Sequence, residues 1–348
     1  MPGKAGVPLR RVRASRAMAV LAALWVAAGL LGAWRYVDGY ATYRGFAPAK
    51  DAPGVAAGTV RKVSFWSPAL HQRRHFLAYL PPGYAREAAA GRRFPLLVLL
   101  HGHPGGPADF LRAGALGVAM DDLVARGAVP PTLVVLPDGR NGLFGPATQW
   151  ANTPTGRYEG FVLDVVRAAE KRFAVLPGRS HRGIGGLSEG GYGALDIALR
   201  HPRVFGVVQS WSGYYVQQPT GAFKGANPAV LAAHSPAVLA RRDGPAIRRL
   251  GLRAFLYDGR ADLGGAARMR SLAAGLRRDG AEVIWRAYRG GHDWALWRRH
   301  MPRMLEIAGR WLAAGAAARP AEPARAGRSP ATGPLPRSIR RPDRRRAP

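Results

Sequence analysis

The residues with the most chemistry in them stand in the run from Gly183 to Gly191, where Gly186-Leu187-Ser188-Glu189-Gly190 forms a G-x-S-x-G pattern. A serine hydroxyl becomes a useful nucleophile only when a nearby base takes its proton. It must also stand clear of the backbone to meet a carbonyl carbon. A sharp turn from strand into helix achieves this, and flanking glycines let the turn close without side-chain collisions. The pattern is short, so its setting carries the weight. An apolar run ends at Leu187, and Gly191-Tyr192-Gly193-Ala194-Leu195 opens a helical run just after.

Three further parts are needed, and the chain offers each in a suitable place. The base is His292, in Arg289-Gly290-Gly291-His292-Asp293-Trp294, where glycines leave the loop free to bring an imidazole over a sheet edge. An orienting carboxylate must lie between serine and histidine in chain order. The loop after Phe255-Leu256-Tyr257 holds two, Asp258 and Asp262, and spacing alone does not choose between them. An oxyanion hole needs backbone N–H groups aimed at the developing charge. The apolar run Leu96–Leu100 leads into His101-Gly102-His103-Pro104-Gly105-Gly106, whose His103 N–H is one candidate. The N–H of Glu189, at the start of a helix, is the other. The His103 side chain reads as a pocket wall. His101 and His103 have no carboxylate at ligand spacing, so no metal site is expected, and no cofactor motif occurs.

The elements that must position these groups alternate between short apolar runs and longer amphipathic ones, which predicts an α/β fold with a mostly parallel sheet flanked by helices. Eight strands are expected: Val60–Trp66, His75–Leu80, Pro95–Leu100, Leu133–Leu136, Gly183–Leu187, Val204–Ser210, Ala254–Tyr257 and Glu282–Ala287. The first two are too close in sequence for a crossover helix and should pair antiparallel. Helices are expected over Ala108–Arg126, Tyr158–Arg172, Gly190–His201, Gly265–Asp279 and Trp294–Leu312. A cap over the site is expected at Trp211–Arg249, where Trp211, Tyr214, Tyr215 and Phe223 would line an acyl or aryl pocket.

The chain has 348 residues, 47% of them hydrophobic and none cysteine, so disulfides and thiolate metal sites are excluded. Its net charge of +31 is partly terminal: residues 1–35 hold six Lys or Arg and no acid, and residues 314–348 hold nine Arg against Glu322 and Asp343. No nucleic-acid-binding motif accompanies the charge, so nucleic acid is not the expected partner. Anionic envelope polymers or lipid headgroups, met through the basic tail, fit better. Met18–Trp34 carries no charged residue over about 17 positions, the lower limit for a transmembrane helix. Lys4, Arg10, Arg11, Arg13 and Arg16 precede it, which would hold that end in the cytoplasm and send the rest outward. The expected organisation is a basic cytoplasmic segment (1–17), a single membrane anchor (18–34), a juxtamembrane spacer (35–58), a catalytic domain (59–312) and a disordered basic tail (313–348). Cleavage of the apolar run as a signal peptide, with secretion, is the alternative.

Taken together, LLVLLHGHPGG, LVVLPDG, YEGFVLDVVRAAEKRF, GIGGLSEGGYGALDIALRHP, YDGRAD and RGGHDWALWRRHMPRML resemble the esterase D-like family of α/β hydrolases. That family includes feruloyl esterases, S-formylglutathione hydrolases, enterochelin esterases and mycolyltransferases. The resemblance covers roughly residues 60–312 and implies the α/β-hydrolase fold. In the feruloyl esterase-like members the acid stands three residues after a glycine that follows the strand, which selects Asp262, and the family's Gly-Gly-His segment matches His292. Glu189 departs from the pattern, since an apolar residue often follows the nucleophile. Its N–H is unaffected, while its carboxylate would favour cationic or polyhydroxyl substrates.

The expected activity is that of a serine-dependent carboxylic ester hydrolase acting through an acyl-serine on an envelope or extracellular ester. The substrate would be a small molecule or a glycolipid. Transfer of the acyl group to a sugar hydroxyl is the alternative. A non-catalytic envelope-binding protein on the same scaffold is the third reading, and loss of a catalytic group would mark it.

Overall fold

The computed structural model describes residues 9–142, 145–262 and 265–317. Residues 1–8 and residues 318–348 of the expected tail lie outside them, while residues 313–317, expected in that disordered tail, continue the last helix. Helix α1 spans Leu9–Tyr43, so the helix runs past both ends of the apolar stretch, and residues 35–43 of the expected spacer are helical. Within it, Arg16–Tyr43 is long and apolar enough to cross a membrane.

Strands β1 (Thr59–Ser67) and β2 (Gln72–Leu80) form an antiparallel hairpin. The chain continues through the short α2 (Tyr84–Ala89), β3 (Leu96–Leu100), α3 (Ala108–Arg112), α4 (Leu116–Ala125) and β4 (Leu133–Pro137). A two-residue ladder of β5 (Asn152–Thr153) with β6 (Gly156–Arg157) then leads into α5 (Tyr158–Arg172). Next come β7 (Arg182–Leu187), α6 (Glu189–Arg200) and β8 (Val207–Trp211). Three short helices follow, α7 (Pro228–Ala233), α8 (Pro236–Arg242) and α9 (Gly244–Leu250). The chain then forms β9 (Arg253–Gly259), α10 (Gly265–Arg278), β10 (Glu282–Tyr288) and α11 (Trp294–Ala317).

Eight strands make one sheet in the order β1-β2-β4-β3-β7-β8-β9-β10. All eight expected strands are present. β2 pairs antiparallel with β4, and every pair from β4 to β10 is parallel. Parallel strands inside a sheet are covered on both faces, and the central β3 and β4 are correspondingly buried and apolar along their length. In β3, Leu96, Val98 and Leu100 face the core on the side of α5, α6 and α10, whereas Leu97 and Leu99 face the core on the side of α4 and α11. Five of these leucines and valines are essentially inaccessible to water, each contributing roughly 1.5–3 kcal/mol of burial.

One expected helix is two. The run Ala108–Arg126 breaks at Gly114, where a side chain would collide with the Phe110 carbonyl oxygen, and Ala115 takes φ 53°. The left-handed residue ends one helix and redirects the next. The cap expected at Trp211–Arg249 is the region of α7 to α9, whose brevity and prolines at the first turn hide them from helical periodicity.

Candidate active site

Ser188 stands between β7 and α6 with φ 56° and ψ −123°. A left-handed φ on a residue with a Cβ costs about 1–3 kcal/mol, and it persists only where the surroundings impose it. Here they do. A Cβ on Gly186 would overlap the backbone of Gly190 and the Leu100 carbonyl, and one on Gly190 would overlap Leu100 and His101. The two glycines therefore let α6 approach the end of β3 closely, which drives the serine outward. Ser188 N–H donates to the Trp211 carbonyl at 2.8 Å, fixing the turn to β8.

The loop after β10 brings His292 Nε2 to 2.8 Å from Ser188 Oγ. On the other side of the ring, His292 Nδ1 lies 2.7 Å from Asp262 Oδ2. With Nδ1–H donated to Asp262, Nε2 is left to accept the serine proton. The two loops are tied together, since Arg260 N–H donates to the Tyr288 carbonyl at 2.8 Å and Ala261 N–H to the Gly290 carbonyl at 3.0 Å. A Cβ on Gly259 would meet the carbonyls of Gly290 and Gly291. Trp297 packs edge-on against the imidazole at 5.1 Å, and its indole N–H donates to Ser212 Oγ at 3.2 Å. Sequence reasoning missed this indole, which sits one turn into α11.

The two candidate carboxylates part company here. Asp258, at the end of β9, is 0% exposed, and neither of its oxygens has a hydrogen-bond partner among the described residues. Burial first, and the nearby charge of Asp262 second, push its carboxyl up to about 8. It is therefore neutral at physiological pH and makes no contact with His292. Asp262 faces the imidazole.

Around the oxyanion position, Glu189 is the first residue of α6, so its N–H lacks an intrahelical acceptor. The loop carrying His103 lies directly over the nucleophile, because a Cβ on Gly102 would come to 3.0 Å from Ser188 Cβ. His101 is buried and locked: Gly139 N–H donates to its Nε2 at 3.1 Å, and its Nδ1 lies 2.9 Å from the Gly102 carbonyl. Burial lowers its pKa, keeping it neutral. The Glu189 side chain is turned toward the 148–150 strap. Its Oε1 accepts the Gln149 N–H at 2.6 Å, it is buried, and burial pushes it up to about 7. It ties the 148–150 strap to the start of α6, at the wall of the hollow that His103 and Arg140 also line.

A cleft of about 210 Å³ opens beside His292, between Ser212–Val216 and Arg268. It continues past Tyr215 and Val216 into a groove of about 550 Å³ between α8 and α10, floored by Ala237, Ala240 and Leu272. Of the four aromatics expected in the pocket, Tyr214 and Tyr215 line the cleft. Trp211 is buried in the core, and Phe223 is buried against His234 at 4.9 Å. Elsewhere, Glu159, Asp196 and His234 bring ligand atoms within 4.8 Å of one another. Their carboxylates already have partners, with Arg200 3.2 Å from Asp196 and His201 Nε2 2.7 Å from Glu159. The group ties α5, α6 and the end of α7 together.

The family model Esterase, described as "Putative esterase", matches residues 67–307, well over half of the chain and the whole of this site. The chain belongs to this esterase family. Among its relatives is an endo-1,4-beta-xylanase/feruloyl esterase of Xylanibacter ruminicola, 29% identical over 166 residues, covering 46% of this chain and 23% of the relative. An acetyl esterase of Caldicellulosiruptor saccharolyticus is 24% identical over 272 residues, covering 71% of this chain and 97% of the relative. Of the first two curated relatives it matches, the chain spans 23% and 34% of their length. A solved structure of a ferulic acid esterase superposes with a TM-score of 0.65 at 24% identity, over 74% of this chain and 99% of that one. The fold of this esterase-family chain is thus the α/β-hydrolase fold.

Proposed function

We propose that this member of the esterase family is a serine-dependent carboxylic ester hydrolase, held at the outer face of a membrane by α1. The observation that carries the reading is the relay of short contacts from Asp262 through His292 to a Ser188 held in a strained turn. In the reaction, Ser188 Oγ attacks the ester carbonyl as His292 Nε2 takes its proton. Asp262 fixes the tautomer and stabilises the imidazolium. The N–H groups of Glu189 and His103 bind the oxyanion, and His292 then protonates the leaving alcohol. Water repeats the sequence on the acyl-serine. Hydrolysis rather than transfer to a sugar is the reading that the names of the relatives support, since they are esterases. The names of the relatives and the volume of the groove beyond Tyr215, about 550 Å³, support an acyl or aryl ester as substrate.

The N-terminal basic residues and the length of the apolar helix support an anchor with the catalytic domain outside. A panel of aryl and acyl esters, assayed with and without sugar acceptors, tests the chemistry. Turnover by the wild type and its loss in Ser188→Ala supports the reading, and equal turnover by both refutes it.

A further inference from the structure

The carboxyl end of α1 meets the catalytic domain at a place the ester chemistry does not explain. From Arg16 through Asp38 every side chain of the helix is exposed, so its apolar surface has no partner among the described residues. Tyr36 and Tyr40, one turn apart and stacked at 6.3 Å, are rings of the kind that sit at the headgroup level of a bilayer. Arg44 lies four residues beyond Tyr40, about 6 Å at a rise of 1.5 Å per residue. The headgroup layer is about 5–8 Å deep on each side of the hydrocarbon, so Arg44 falls within it.

Arg44 also lines a cavity of about 480 Å³, together with Lys62 of β1, His75 of β2, Arg112 of α3 and Arg140. Asp109 pairs with Arg44 at 3.1 Å, and Asp138 pairs with Arg140 at 2.6 Å and faces His75 at 3.3 Å. Burial, with help from Lys62, Arg140 and Arg74 and against the pull of Asp138, lowers the His75 pKa. Four permanent cations thus stand against two carboxylates. Lys62 and Arg112 are in no ion pair among the described residues. Asp38, the acid nearest this level on α1, accepts from Thr42 on the helix itself.

We propose that this cavity seats the phosphate of an anionic membrane lipid, with Lys62 and Arg112 as its free cations. A phosphodiester carries one negative charge and several acceptor oxygens, which suits two unpaired donors beside an existing ion-pair rim. The cavity shares Pro104, Gly105 and Arg140 with a smaller hollow lined by His103 and Glu189. A lipid bound there fixes the oxyanion side of Ser188 against the bilayer surface. The proposal rests on the reading of α1 as a membrane span.

The test uses the full chain in a neutral detergent, titrated calorimetrically with dihexanoyl phosphatidylglycerol, dihexanoyl phosphatidylcholine and glycerol phosphate. The expected result is saturable binding of the phosphatidylglycerol, at least about tenfold tighter than the phosphatidylcholine, since each basic residue at a membrane surface contributes roughly a fivefold factor. A Lys62→Ala/Arg112→Ala variant should lose that preference while keeping its melting curve and aryl-ester turnover. Equal binding of the two lipids, or a preference that survives in the double variant, overturns the proposal. Glycerol phosphate binding as tightly as the lipid would make the cavity a free-phosphate site and overturn the lipid assignment. Extraction of the chain from membranes by alkaline carbonate overturns the span reading and the lipid occupant with it. Equal binding of the two lipids by a wild-type chain that resists extraction overturns the cavity proposal alone.

Discussion

The two sides of Ser188 are built differently. On one side, β3, β7 and α6 meet backbone to backbone, with glycines at 186 and 190 admitting no side chain and Leu96–Leu100 and Ile184 fully buried. On the other, Asp262 and His292 sit on loops, partly exposed, and are held by a few hydrogen bonds between residues 259–262 and 288–291. The nucleophile is positioned by packing that cannot change without unfolding the domain. The base and its acid are positioned by contacts that can be lost one at a time. The first side should therefore fail as structure and the second as chemistry.

The broadest expected effect, on fold and activity together, is on the packed side. Gly190→Ala puts a methyl into the Leu100 and His101 backbone, and no flexible side chain is there to yield. Overpacking of this kind costs about 1–3 kcal/mol or more. The variant should show a clearly lowered melting temperature or no soluble protein, and a wild-type melting curve would show that α6 can retreat from β3. The second effect belongs to the loop side. Asp262→Asn keeps the shape but not the charge, so kcat should fall by about 10⁴ while the melting temperature changes little. Steady-state kinetics beside a melting curve decides it.

The third effect is smaller and sharpens the contrast between the two carboxylates. The Asp258 carboxyl has an ordinary value of 3.8 and is pushed to about 8 in the folded chain. The folded state therefore holds this proton where the unfolded chain has released it. Its contribution to stability is fully present below about pH 4 and is lost as pH rises toward 8. Asp258→Asn, which mimics the neutral form, should flatten the fall in melting temperature over that range and be more stable than wild type at pH 8. Activity should be largely retained. A nearly inactive but folded Asp258→Asn would move the orienting role to the strand end.

The contrast also explains what could be read in advance. Continuous apolar runs such as Leu96–Leu100 and the glycines around Ser188 are local signatures of buried parallel strands and a tight turn, so the sheet and the elbow were legible residue by residue. Spacing could not separate Asp258 from Asp262, because the decision lies in hydrogen bonds between two loops about thirty residues apart. The break at Gly114 was hidden for a similar reason. Its cause is close approach to the Phe110 carbonyl and the Met301 side chain of α11, which no periodicity reports. The burial of Trp211, Phe223 and the Glu189 carboxylate likewise depends on what the cap and the 148–150 strap place above them.

The account's central claim is that Ser188, activated by His292, is the group that takes up the acyl moiety. Intact-mass measurement of the full chain after treatment with a fluorophosphonate, followed by peptide mapping, reads this without choosing a substrate. The account predicts one adduct per chain, located on Ser188, formed at a rate that falls steeply in His292→Ala and absent in Ser188→Ala. An adduct on another residue, or undiminished labelling of Ser188→Ala, would contradict it.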